Sequence, residues 1–254
     1  MKAHRPGRVR RRLVPVLIAA ALAAGCHGPS VDPPSDGLAL RVEQLPGGPV
    51  PAGQLSSPQY VLYADGTLIA ADGADGGLPA AKTYHLTPAA FRRMYDRAAS
   101  AGLAEAHDYD VQAPDAPTLV ITLVTSAGRS RTRVTAPDPE ASGAAGDAVR
   151  AVAFSPNDLA ASDLTGTPSR YAPTQVAVNS AFATAGTNAP AWPLGPLGSG
   201  TSVNGGHCVV FRAAEVGDLA RHRPADGRWS SGGNSYQVYF RPLLPDEGNC
   251  ANLN

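Results

Sequence analysis

The sequence predicts an α+β fold, with antiparallel sheets, a few helices packed on one face, and two lobes. Three features carry this expectation. β-rich runs flank turn residues at Asp65-Gly66 and again at Ser126-Ala127-Gly128, the pattern of hairpins. The stretch 86–103 between them has helical spacing and helix-end residues. A second group of strand-like runs follows at 173–181, 207–212 and 236–240.

Each element has a local reason. LALRVE at 38–43 alternates apolar and polar residues and reads as a strand. A Pro/Gly-rich loop occupies 45–58, and the runs 60–63 and 67–70 then face each other across Asp65-Gly66. Asp65, Asp72 and Asp75 lack the regular ligand series of a calcium loop, so turn chemistry is the expected role. Thr87 is placed as an N-cap and Pro88 as the first helical residue. Leu86 and Phe91 stand at staple positions, and Phe91, Met94, Tyr95 and Ala98 share one face. Gly102 supplies a stop, with Leu103 placed to fold back. TLVITLV at 118–124 is a continuous apolar strand, returned by an alternating run at 129–134 that puts Arg131 and Arg133 on one face. Those two cations could bind an anion, yet solvated strand charges are the commoner case. A weaker helix is expected within 139–154, where Gly143 and Gly146 lower the propensity.

Residues 155–169 read as a polar connector opening the second lobe, which covers 156–254 against 38–155 for the first. Its expected elements are strands at 173–181, 207–212 and 236–240 and a helix at 213–222, with a turn opened by Trp229. The prolines of 189–200 exclude a central strand, and Trp192 is expected to pack at an edge or between lobes.

The first 25 residues have a different character. Lys2, Arg5, Arg8, Arg10, Arg11 and Arg12 precede an uncharged run at 13–24. A basic region followed by a short apolar one has the shape of a secretory signal. That run is too short to cross a hydrocarbon core about 30 Å thick. It closes on Leu22-Ala23-Ala24-Gly25-Cys26, which resembles a bacterial lipobox. The resemblance implies cleavage between Gly25 and Cys26 and lipidation of the Cys26 sulfur. It therefore implies a protein anchored by lipid to the extracytoplasmic face of the cell membrane. Residues 26–37 would form the lipidated end and a flexible tether, since 27–37 is rich in Pro, Ser, Gly and Asp. Fully extended, those residues reach roughly 35 Å. Loss of residues 1–25 removes six of the 21 basic residues and no acidic one, leaving 15 against 21 and a formal net of −6.

Three cysteines are an odd number for an exported chain. With Cys26 lipidated, Cys208 and Cys250 remain to pair in an oxidising exterior. The competing reading makes Cys208 a nucleophile beside His207, but strand neighbours point to opposite faces.

The chain's 254 residues are 43% hydrophobic, which supports a core, and 17% charged with zero formal net, which argues against a nucleic-acid partner. No phosphate-binding loop, dinucleotide fingerprint, nucleophile elbow or zinc-protease motif occurs in it. His107-Asp108-Tyr109-Asp110 is the one concentrated group of ligand-type side chains, and no metal or other cofactor is expected. The runs LALRVEQ, YVLYADGTLIA, APTLVITLVTSAGR, YAPTQVAV, AWPLG and RPLLPDE together resemble a family of uncharacterised actinobacterial secreted lipoproteins. The resemblance implies a lipid-anchored α+β ectodomain and carries over no site residue except Cys26. The leading expectation is thus a non-catalytic binding or scaffold module of the cell envelope, with membrane lipid as one partner and an envelope protein or ligand as the other. Two alternatives stand beside it. The stretch from Cys208 to Cys250 resembles the C-terminal half of a subtilisin-inhibitor-like domain without its second disulfide, and a hydrolase site assembled across the lobes is the other.

Overall fold

Strand-forming runs in the first half of the chain pair into a mostly antiparallel eight-stranded sheet. Its strands are β1 (Leu38–Leu45), β2 (Tyr60–Tyr63), β3 (Thr67–Asp75), β4 (Leu78–His85), β5 (Asp108–Tyr109), β6 (Thr118–Thr125), β7 (Gly128–Thr135) and β8 (Ser169–Arg170). They lie in the order β5-β7-β6-β1-β2-β3-β4-β8, and only the β5–β7 pair is parallel. A second, antiparallel sheet is built from β9 (Gln175–Phe182), β10 (Thr201–Val203), β11 (Gly206–Arg212), β12 (Arg228–Ser231) and β13 (Asn234–Pro242), ordered β10-β11-β9-β13-β12. The three α-helices are α1 (Pro88–Ala98), α2 (Ala144–Val152) and α3 (Ala213–Arg221). This is an α+β fold. The computed structural model describes residues 31–75, 77–184 and 189–253, and both sheets belong to one unit, Val31–Asn254. Among the described residues no helix is long and apolar enough to cross a membrane.

One face of the first sheet carries the main core. Leu40, Val42, Leu62, Leu68, Ile121 and Leu123 are buried there against Phe91, Met94, Tyr95 and Ala98 of α1 and Ala148, Ala151 and Val152 of α2. The predicted start of α1 is present: Thr87 is the N-cap, its side chain accepts from the Ala90 N–H, and Pro88 opens the helix. A π-helical turn, Ala99–Leu103, follows α1, and Gly102 sits there at φ 80°. That left-handed conformation suits a residue without Cβ. Leu103 then returns to the core as expected. Arg97 donates to the carbonyls of Ala151 (2.7 Å) and Ala153 (3.1 Å), satisfying acceptors at the C-terminal end of α2.

The second sheet is covered on both faces. Val176, Val178, Val238 and Phe240 pack with Val216 and Ala220 of α3 and with Trp192 and Trp229. The two indoles meet edge to face with centroids 5.2 Å apart, a favoured aromatic geometry. Trp192 therefore packs on this sheet, and Trp229, expected to open a turn, lies within β12 opposite Tyr236. On the other face Ala177, Val203, Cys208 and Leu243 cluster with Cys250 and Leu55.

Three crossings join the two halves. The loop 46–58, which leaves the first sheet after β1, docks on the second sheet. Asn179 Nδ2 donates to the carbonyls of Gly53 (2.9 Å) and Val203 (3.0 Å), and Asn204 Nδ2 donates to that of Gln54 (2.8 Å). A Cβ on Gly206 would stand 3.0 Å from the Gly53 Cα and 2.8 Å from Asn179 Oδ1, so the close approach requires glycine. The segment 156–170, read from the sequence as the opening of the second lobe, packs Leu159 and Leu164 against the first core and ends in β8, which pairs with β4. Finally, the C-terminal segment buries Leu243 on the second sheet and packs Leu244 against Val61, Tyr63 and Ile69 of the first.

The expected free tether is in part docked. The Asp32 carbonyl accepts from the Ser126 N–H (2.9 Å) and from the Tyr95 hydroxyl (3.2 Å), and the Gly37 carbonyl accepts from the Ala64 N–H (2.9 Å). These bonds tie residues 32–37 to the body, so they do not act as extended spacer. The expected cleavage and lipidation residues, Gly25 and Cys26, lie outside the described residues.

Candidate functional site

Strand alternation decides which side chains reach the open face of the first sheet. Along β7, Ser130, Thr132 and Val134 point inward and Arg129, Arg131 and Arg133 outward. In register, Arg131 lies opposite Thr122 of β6, and Thr122 lies opposite Arg41 of β1. The same face of β2 carries Val61 and Tyr63. Over this surface runs the C-terminal segment after β13, and between the two is a cleft of about 340 Å³. Its polar lining comprises Arg41, Glu43, Thr122, Arg129 and Arg131 from the first sheet, Arg241 from β13, and Asp246, Glu247 and Asn252 from the C-terminal segment.

The cleft floor is a charge network. Glu247, 2% exposed, accepts through Oε1 from Arg241 Nη2 (2.7 Å) and Arg41 Nη1 (2.6 Å) and through Oε2 from the Leu244 N–H (2.9 Å). Asp246 accepts from Arg41 Nη2 (2.8 Å) and from the Tyr63 hydroxyl (2.7 Å). Burial acts to raise the Glu247 carboxyl, but the charges of Arg241 and Arg41, with hydrogen bonds from Arg241 and the Leu244 N–H, outweigh it. The group is held below the usual carboxylate range. For Arg41, burial acts to lower the value, and Glu247 and Asp246 reverse this and raise it. Tyr63 is pushed up by burial and by the Asp246 charge and hydrogen bond. Tyr171, whose hydroxyl donates to the Leu243 carbonyl (2.7 Å), is pushed up to about 12 by burial and then by Glu247 and Asp246.

The network leaves cationic donors over. Arg241 is 3% exposed, yet its Nε and Nη1 find no hydrogen-bond partner. The side chains of Arg129 and Arg131 make no hydrogen bond or ion pair among the described residues. Glu43, the remaining carboxylate, accepts from the Ser56 hydroxyl. The arrangement can thus hold a negatively charged group, because four guanidiniums, Arg41, Arg129, Arg131 and Arg241, outnumber the three carboxylates, Glu43, Asp246 and Glu247. A second concavity of about 240 Å³, walled mainly by Ile69, Leu78, Pro79, Pro173, Pro242 and Leu244, is largely apolar.

The residues singled out in the sequence are distributed as follows. Cys208 and Cys250 are joined by a disulfide with Cα atoms 5.9 Å apart, so Cys208 carries no free thiol. Asp65 accepts from the Thr67 N–H in the hairpin turn (2.8 Å), and Asp72 pairs with Lys82 across β3 and β4 (3.1 Å). His107 bonds the Gly102 carbonyl (3.1 Å) and stacks on Tyr109. Among the described residues no group of three or more His, Cys, Asp or Glu side chains is placed to hold a metal. Arg131 lies in the cleft, joined there by Arg129, whereas Arg133 does not line it. Arg41, Arg241, Asp246 and Glu247 were not singled out by their local sequence. Their only signal is that charged residues interrupt apolar runs in LALRVE and RPLLPDE. No family model, curated protein or solved structure matches the chain.

Proposed function

We propose that the protein is a non-catalytic binding module of the cell envelope, anchored by lipid on Cys26 at the extracytoplasmic face and using the arginine-lined cleft as its ligand surface. The observation that carries this reading is the pairing state of the cleft. Asp246 and Glu247 are ion-paired and Glu43 accepts from the Ser56 hydroxyl, while Arg241, Arg129 and Arg131 retain side-chain donors without a partner. A general base working near neutral pH needs a raised carboxylate value, and Glu247 is shifted the opposite way. Free guanidiniums supply attraction and directional hydrogen bonds, which are the requirements of binding. The lipobox-like end and the disulfide both suit an exported chain.

Detergent phase separation of the full chain expressed in a lipoprotein-processing bacterium tests the anchor. The wild type should enter the detergent phase, and Cys26→Ser should leave the protein in the aqueous phase or with an uncleaved leader. Equal partitioning of the two, with an unmodified residue 26 by intact mass, would refute it.

A further inference from the structure

We propose that the cleft binds a phosphate group, with Arg241 as the inner donor and Arg129 and Arg131 as the outer clamp. This rests on the cleft being the ligand surface and goes further by assigning the ligand's chemistry. The inner observation is Arg241. Its side chain is almost entirely buried beneath the cleft that the residue lines, Nη2 is spent on Glu247, and Nε and Nη1 are unpaired. A buried polar donor without a partner costs free energy, and an anion in the cleft supplies that partner. The outer observation is independent. Arg129 and Arg131 project from alternate positions of β7 into the same cleft, and neither forms an ion pair with its carboxylates. Guanidinium forks match the oxygens of a phosphate and bond it in pairs. Three such groups around one cleft suit an anion with several charged oxygens better than a single carboxylate.

The short covalent link between Cys26 and the docked Asp32 favours a membrane headgroup as the source of that phosphate. Asp32 is hydrogen bonded to Ser126 at the turn between β6 and β7, and Arg129 follows three residues after Ser126. Six residue steps separate Cys26 from Asp32, a reach of roughly 20 Å at most. A lipid on Cys26 therefore keeps the β6–β7 end, and the arginines that follow it, close to the bilayer surface.

The test is calorimetric titration of the full chain in non-ionic detergent at constant chloride concentration. Inorganic phosphate, glycerol phosphate and succinate are the probes. Phosphate and glycerol phosphate should bind, and Arg131→Ala or Arg129→Ala should each weaken them about tenfold or more, the range of a charge-assisted hydrogen bond. Both side chains are exposed, so the variants should keep the wild-type circular dichroism. Tighter binding of glycerol phosphate than of inorganic phosphate supports a headgroup source, and equal binding supports free phosphate. Succinate binding as tightly as phosphate, no binding of either phosphate probe, or binding insensitive to both substitutions overturns the proposal. Detergent partitioning through Cys26 would stand under any of those results, so the two readings fail separately.

Discussion

Glu247 shows how one side chain can hold two sheets to one segment. Its carboxylate sits between Arg41 of β1 and Arg241 of β13 and is nearly inaccessible to water. Replacing it with alanine would leave the buried Arg241 guanidinium without a carboxylate and Arg41 with Asp246 alone. Removing one partner of a buried pair costs about 3–5 kcal/mol, mostly from the charge left behind. Urea unfolding of Glu247→Ala should show a loss of that size, against a small effect for a solvent-exposed change such as Glu140→Ala. The pH dependence follows from the same contacts. Because the folded Glu247 value is depressed, its contribution is complete above the unfolded value near 4.3, as an order of magnitude. It is lost as pH falls through the lower folded value. The alkaline side has the opposite sign. Tyr171 is raised to about 12, so its contribution is intact below about pH 10 and fades as pH climbs toward the folded value. Thermal unfolding across both ranges should show stability falling at each end, and Tyr171→Phe should flatten the alkaline decline.

At the scale of elements, the helix after the first hairpins is the best specified piece. Its cap, its proline, its apolar stripe and its glycine stop all agree, and such local agreement is what makes a short helix persist. Thr87→Ala removes the acceptor for the Ala90 N–H, and loss of an N-cap costs about 1 kcal/mol. Chemical denaturation should register that loss, and Thr87→Ser should recover most of it. The strand β4 is the contrasting case. LPAAKTYH has a proline, two alanines and a lysine, which are weak strand formers, and nothing local announces it. It forms because β3 offers an unpaired edge that β4 covers over most of its length, with β8 pairing on its far side.

At the scale of the molecule, the two sheets are held together by segments that leave one and finish on the other. The loop 46–58 bonds to Asn179 and Asn204, and the C-terminal segment is fixed to β11 by Cys208–Cys250. The bridge spans a sequence separation of 42, and a loop of that size is worth on the order of 2–4 kcal/mol in the constrained unfolded state. The double variant Cys208→Ser, Cys250→Ser should lower the urea midpoint accordingly. It should also raise hydrogen exchange in 243–253 more than in β6 or β9, because the segment carrying Asp246 and Glu247 loses its covalent end. Uniform exchange across the molecule would show that the disulfide does not act locally on that segment.

The amino-acid sequence by itself determined the α+β class, the hairpins, the capped helix and the pairing of Cys208 with Cys250. Each of these depends on neighbours in the chain or on a count of residues, and turns, caps and alternation are written locally. Arg131 was visible as an outward cation, but its role was not, because a strand face acquires meaning only from what covers it. Tertiary structure alone decided that Arg41, Arg241 and Glu247 meet across separations of 206 and 6 residues. It also decided that residues 32–37 dock on the body, that Trp229 lies within a strand, and that 156–170 belong with the first sheet. Those outcomes depend on which edges and faces remain open once the local elements have formed. Burying a charged side chain is favourable only when a partner from elsewhere in the fold arrives to meet it.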